Sequence, residues 1–263
     1  MAARLWRRGA TPLNPARTPL QWLAALLVAA ALLPSIAAAA TNDAGAFGIP
    51  FFTAHYVLKQ YGLTAADITV SFGPESNGRL IYRQVTLPAG MVSWFRHDRI
   101  TGESILAPGP IPLPVEYRFV HSGDGPTQEA VIHFDRRQGK ATGHMQNGDR
   151  VKVAIEPDTL DRLSLQLALM QAVAQGRKSL RFTTVETKDK LSHYDFHNLG
   201  RETVVTSLGR LETVHLQRIW KAKHLRYDFW LAPSLHDLPV KLTQIEGNDS
   251  SGLALYLQSV NWH

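Results

Sequence analysis

Ile68-Thr69-Val70-Ser71-Phe72, followed at once by Gly73-Pro74-Glu75-Ser76-Asn77-Gly78, is the stretch that decides the fold. In an extended chain its three large apolar side chains share one face and its two hydroxyls share the other. The glycines, proline and asparagine that follow supply the backbone freedom and local hydrogen bonding of a tight reversal. The same unit, alternation and then turn, recurs along the chain. Leu180 and Phe182 alternate with Arg181 and Thr183, and Leu225, Tyr227, Phe229 and Leu231 alternate with Arg226 and Asp228. Leu253, Leu255 and Leu257 alternate with Ala254, Tyr256 and Gln258. Turn chemistry recurs at Ser122-Gly123-Asp124-Gly125-Pro126, Arg136-Arg137-Gln138-Gly139, Asn147-Gly148-Asp149 and Gly247-Asn248-Asp249-Ser250.

Short alternating runs joined by tight turns predict a mainly β fold built from neighbouring antiparallel strands. About 10–12 strands are too many for a flat open sheet, so the meander is expected to curl strongly into a half-barrel or partly closed barrel.

One segment departs from period two. Leu160, Leu163, Leu167, Met170 and Ala174 fall on one helical stripe, widened by Leu165, Leu169 and Val173. Asp158 is the expected cap, Asp161 suits the first turn, and Gly176 supplies a stop. So broad an apolar surface predicts a helix buried on most of its circumference, packed on the concave side of the sheet. The segment from Ala107 to Pro114 carries a proline at every second position from Pro108 and cannot lie inside a sheet. It reads as a stiff connector or covering loop. Because the β pattern is alike on both sides of it, residues 51–263 are expected to form a single antiparallel domain, preceded by a flexible segment at 41–50.

Residues 1–40 have the three parts of an export signal. Arg4, Arg7, Arg8 and Arg17 precede an apolar run from Trp22 to Leu33, and Ala37 to Ala40 offer the cleavage site. The apolar run is about a dozen residues, short of the roughly 20 needed to span a bilayer core. The expected address is the periplasm, with no stable membrane anchor after cleavage. The formal charge of +6 includes those four arginines, and no acid accompanies them, so the remainder sits near +2. That balance gives no basis for nucleic-acid binding. The chain has no cysteine. A disulfide framework, a thiol nucleophile, thiolate metal sites and a lipid anchor on cysteine are therefore excluded.

None of the usual catalytic strings occurs. Gly102-Glu103-Ser104 begins like a nucleophile elbow but lacks the second glycine. His193 and His197 have the spacing that shares one helix face, yet in a strand they stand about 13 Å apart by strand rise. No residue is assigned as catalytic or metal-ligating, and no cofactor is implied. The informative residue is Arg218, which shares a strand face with Val214, Leu216 and Trp220. A charge on an apolar face needs a partner. The alternatives are a carboxylate such as Glu186 or Glu202 and the anionic headgroup of a ligand. With Trp220, Tyr227 and Trp230 nearby in sequence, and the helix positions Leu163, Leu167 and Met170 facing the sheet, Arg218 heads the candidate ligand-binding set.

The motifs of the C-terminal third carry a resemblance. Gly209 to Thr213 forms a Gly-x-x-x-Thr step, followed by Trp230-Leu231-Ala232-Pro233 and Leu238-Pro239-Val240-Lys241. The helix opening between Asp158 and Leu167 is similar to an Asp-x-x-Ser-Leu segment. Together these resemble the bacterial domain of unknown function 3108 family, which is exported and supplies no catalytic residues to carry over. The arrangement is also similar, at fold level, to periplasmic lipoprotein-carrier and sorting proteins. That second resemblance implies an apolar concave face able to hold acyl chains.

Three functions fit these features. One is a periplasmic, non-catalytic binding or carrier protein for a lipophilic or amphiphilic cell-envelope molecule. Another is a structural or protein-interaction module of the envelope. The third is a hydrolase with an unrecognised site.

Overall fold

The computed structural model describes residues 45–75, 77–186, 188–247 and 252–263. The predicted export segment 1–40, the start of the segment 41–50 and the turn positions Ser76 and 248–250 lie outside the described residues. The alternating runs form one sheet of fourteen strands. The first eight are β1 (Phe52–Gln60), β2 (Leu63–Pro74), β3 (Leu80–Pro88), β4 (Arg99–Leu106), β5 (Pro114–Ser122), β6 (Gln128–Asp135), β7 (Lys140–His144) and β8 (Arg150–Ala154). The other six are β9 (Leu180–Val185), β10 (Leu191–Thr206), β11 (Gly209–Trp220), β12 (Leu225–Ala232), β13 (Leu238–Glu246) and β14 (Leu253–Trp262). The helix, α1, spans Ser164–Ala174.

The order β8-β7-β6-β5-β4-β3-β2-β1-β14-β13-β12-β11-β10-β9 is a meander with one non-sequential pairing, β1 against β14. The two free edges are therefore β8 and β9, consecutive in sequence, and the segment carrying α1 joins them. The sheet is a nearly closed barrel whose seam lies beside its helix. Both edges are short, which limits the unpaired backbone they expose. The seam is also stitched: Lys152 N–H donates to the Lys188 carbonyl, Leu160 N–H to Thr183 and Val185 N–H to Leu160. Leu160 thus forms an isolated parallel bridge with Thr184 instead of the first helical turn.

The register explains which face is inside. Phe52 lies opposite Phe72 and Phe72 opposite Tyr82, and all three are buried with their rings in contact. Across the other half, Leu216 faces Phe229 and Phe229 faces Leu242. A barrel of this many strands encloses more volume than its own side chains fill. The helix supplies the filling, since every residue from Ser164 to Ala172 is buried. Gly102 on β4 leaves the room it needs, because a Cβ there would meet Leu163 Cδ1 at 3.1 Å.

Asp161, not Asp158, caps the helix. Its Oδ1 accepts from Leu163 N–H at 2.7 Å and Ser164 N–H at 2.8 Å, and Ser164 Oγ accepts in return from Asp161 N–H. This reciprocal arrangement satisfies the first-turn donors with no help from water. Asp161 Oδ2 accepts from Ser104 Oγ at 2.5 Å, tying the cap to β4. At the other end, Gly176 takes φ +64°, and the Gly176 and Arg177 N–H groups donate to Val173 and Ala172 in a Schellman closure. Gln171 Nε2 then donates to the carbonyls of Phe47 and Pro110. The proline segment is the β4–β5 loop, and it lies over this end of the barrel.

Burial pushes the Asp161 carboxyl up to about 6, against the lowering effect of the hydrogen bonds it accepts. The folded state therefore keeps this proton at a pH where the unfolded chain has released it. The associated stability is fully present below the ordinary carboxylate range and is lost as pH rises through about 6. Asp161→Asn abolishes that titration, so the stability of the natural chain relative to the variant is expected to fall between pH 4 and pH 7. Urea denaturation across that range measures it. Asp161→Ala, which strands three donors, is expected to cost about 2–4 kcal/mol at pH 7.

Candidate functional site

At one rim of the barrel, β9, β10, β11, β12 and β13 bring together side chains far apart in sequence. Arg218 lies opposite Tyr227, and Tyr227 opposite Gln244. Alternation puts all three on the inner face with Leu216 and Phe229. The Arg218 guanidinium lies 3.7 Å from the Tyr194 ring centroid, 5.3 Å from Trp220 and 5.6 Å from Tyr227. It is enclosed by ring faces, whose negative quadrupoles favour a cation.

Arg218 is 9 % exposed. Among the described residues it has no hydrogen-bond acceptor and no ion pair. Neither carboxylate named from the sequence closes on it. Glu202 is on the outer face, and Glu186 acts only through its field. Burial lowers the arginine pKa and Glu186 opposes that shift. Burial also raises the Tyr227 hydroxyl, with Arg218 opposing. Beside them, Gln244 Oε1 is buried without a donor. The arrangement is a largely buried, aromatic-walled cationic group, for whose N–H donors no protein acceptor occurs among the described residues.

The candidate set divides three ways. Arg218, Trp220 and Tyr227 come together, joined by Tyr194, which sequence reading missed. Leu163, Leu167 and Met170 are all buried in the core around α1. Trp230 points to the opposite face of β12. There it stacks on His215 with centroids 4.5 Å apart, and Lys241 Nζ lies 4.1 Å from its ring. Its Nε1–H donates to Glu202 at 2.8 Å. His215 bridges Glu202 and Asp228 at 3.1 and 3.0 Å, and Asp228 also accepts from Gln217 and Arg226. Those partners hold the Asp228 carboxyl below its usual range although burial pushes it up.

A hydrolytic centre requires an imidazole placed between a hydroxyl and a carboxylate. Among the described residues, Thr183 meets His193 and Thr53 meets His263, and in neither pair is a carboxylate bonded to the imidazole.

A family model described as "Protein of unknown function (DUF3108)" matches residues 52–254, and the chain belongs to that family. In fold it is similar to a β-barrel-like protein of domain of unknown function DUF1849 from Brucella abortus. That likeness has 12% identity and a TM-score of 0.52, covering 82% of this chain and 98% of that one. Looser similarity extends to the Pseudomonas aeruginosa MucA/MucB complex, at 12% identity and TM-score 0.31, over 80% of this chain and 51% of that chain. A putative lipoprotein from Parabacteroides distasonis follows at 8% identity and TM-score 0.34, over 84% of this chain and all of the other. No curated protein matches the chain.

Asp228→Ala leaves three donors around a buried gap. It is expected to cost about 2–3 kcal/mol in urea denaturation. Because it acts on the outer face, it is expected to leave the surroundings of Arg218 unchanged, read from the amide shifts of Tyr194 and Tyr227.

Proposed function

We propose that this chain is a non-catalytic binding or carrier protein of the bacterial envelope, taken to the periplasm by residues 1–40. Its cargo is an amphiphilic envelope molecule held by an anionic group at Arg218. The observation that carries this reading is the state of Arg218 itself, buried among Tyr194, Trp220 and Tyr227 with no protein acceptor for its donors among the described residues. Burying a guanidinium is costly unless its charge and hydrogen bonds are met. The rings offset part of the charge, and Glu186 contributes a field, but neither supplies a hydrogen-bond acceptor. A ligand carboxylate or phosphate supplies one, in the forked geometry that guanidinium favours.

The apolar part of the ligand runs from Arg218 along the inner face towards Leu163, Leu167 and Met170. Those side chains are packed in the core, so entry of a tail requires α1 to shift. The seam between β8 and β9 is where that costs least, because few backbone hydrogen bonds cross it. Trp230 belongs to the outer network and not to this site.

Titration of the periplasmic protein with dodecyl phosphate and with uncharged dodecyl maltoside separates the headgroup from the tail. Arg218→Met is expected to weaken the phosphate roughly 10- to 100-fold, the loss of one charge-assisted hydrogen-bonded group, and to leave the maltoside unchanged. Arg218→Lys restores part of the difference. Equal binding of dodecyl phosphate by the natural chain and Arg218→Met refutes the assignment.

A further inference from the structure

The rim that carries Arg218 also carries the β1–β2 and β3–β4 connections, and these two present an uncovered apolar surface. Trp94 is 73 % exposed and Phe95 77 % exposed, with Met91, Tyr61 and Leu63 also on the surface. Single exposed apolar residues are ordinary, but a contiguous group on adjacent loop tips is not. The two connections do touch: Ala89 N–H donates to the Ala65 carbonyl at 3.1 Å, and Gly90 packs so closely on Thr64 that a Cβ there would lie 2.7 Å from its carbonyl oxygen.

The surface is held in place. Gly90–Trp94 forms a one-turn 3-10 helix. Behind it, Arg96 Nε donates to Asp98, which also meets His121 Nε2, while His97 engages Asp124 through both its backbone N–H and Nδ1. Gly123 lets the β5–β6 turn approach, since a Cβ there would lie 2.5 Å from Asp98 Cα. At the other tip, Tyr61 and Gly62 both have positive φ, 51° and 79°. A type I′ turn wants asparagine or glycine at its first position, so a tyrosine there is held against its backbone preference. An ordered loop that keeps two aromatics in water, beside a strained tyrosine, has a surface built to be covered.

We propose that this rim docks on a phospholipid bilayer, with Trp94, Phe95 and Met91 entering the headgroup–acyl boundary and Tyr61 and Leu63 beside them. The charge pattern selects that occupant. No carboxylate occurs from Pro88 to His97 or from Phe52 to Ala66; Asp98 and Asp124 behind the tip are engaged by Arg96, His97 and His121, while Lys59 and Arg99 are exposed beside it. Aromatic tips with cations behind them match the interface between acyl chains and lipid phosphates. The inference stands on different residues from the Arg218 assignment. It also supplies what a carrier of amphiphiles needs, a mouth that meets the membrane.

The natural absence of cysteine allows a single reporter. Phe95→Cys, exported, purified from periplasm and labelled with an NBD fluorophore, is mixed with phosphatidylethanolamine–phosphatidylglycerol vesicles. The expected result is a blue shift and a several-fold rise in emission, reduced at least tenfold by Trp94→Ser with Met91→Ser in the same chain. A label at Leu208→Cys, on the opposite end of the barrel, is expected to stay unchanged. Arg218→Met is expected to leave the Phe95 signal intact, so failure of the ligand site and failure of docking are read separately. No change at position 95 with vesicles overturns the proposal. So does a blue shift that depends on protein concentration without lipid, which assigns the rim to a second copy of the chain.

Discussion

A helix inside a barrel must satisfy its first-turn N–H groups where water is scarce, and here one carboxylate does so. Asp161 accepts two backbone hydrogen bonds from the helix it starts and one from Ser104 on β4. It therefore fixes the helix start and its depth in the barrel together. Leu163 against Gly102 follows from that position, and so does Gln171 reaching Phe47 and Pro110 at the far end. Without the helix, the inner faces of fourteen strands would surround a space too large for their own side chains. The arrangement trades the desolvation of one acid for a filled interior.

The two faces of β11 and β12 show how alternation separates tasks. Inward, Leu216, Phe229 and Leu231 make core, and Arg218 and Tyr227 interrupt it near the rim. Outward, His215, Trp230, Asp228 and Arg226 form a network in which each buried polar group has a named partner. Polar groups are present on both faces; among the described residues the outward ones bond to one another, while inward Arg218 has no acceptor and Gln244 Oε1 no donor. That contrast is what supports the proposed ligand site at Arg218.

Much of this was legible from residue order. Period two across Ile68–Phe72 and Leu225–Leu231 gave the strands, and the same period put Arg218 with Val214, Leu216 and Trp220. The broad stripe from Leu163 to Ala174 marked a buried helix, and Gly176 its stop. Tyr194 was missed because its neighbours, His193, Asp195 and His197, read as a polar segment. Its place over Arg218 also depends on β10 pairing with β11 across an irregularity at Asn198–Gly200. The cap was placed three residues early because Asp158 and Asp161 both precede the apolar stripe. What separates them is Ser104, 57 positions away. The exposure of Trp94 and Phe95 was equally hidden, since an aromatic pair reads as core until its loop is seen to point outward.

The pairing of β1 with β14 also governs how the chain acquires its shape. Every other strand pair is joined by a short connection, the longest being residues 89–98 between β3 and β4, yet Val57 finds Tyr256 across nearly the whole described chain. Strands β1–β8 and β9–β14 are each a run of local hairpins able to assemble independently, and the β1–β14 ladder is the long-range event that joins them. Loop-closure entropy is met before that ladder returns any stability. Two half-sheets with open β1 and β14 edges are thus the natural intermediates of this topology. They are also the forms whose open edges are most able to pair with another copy of the chain.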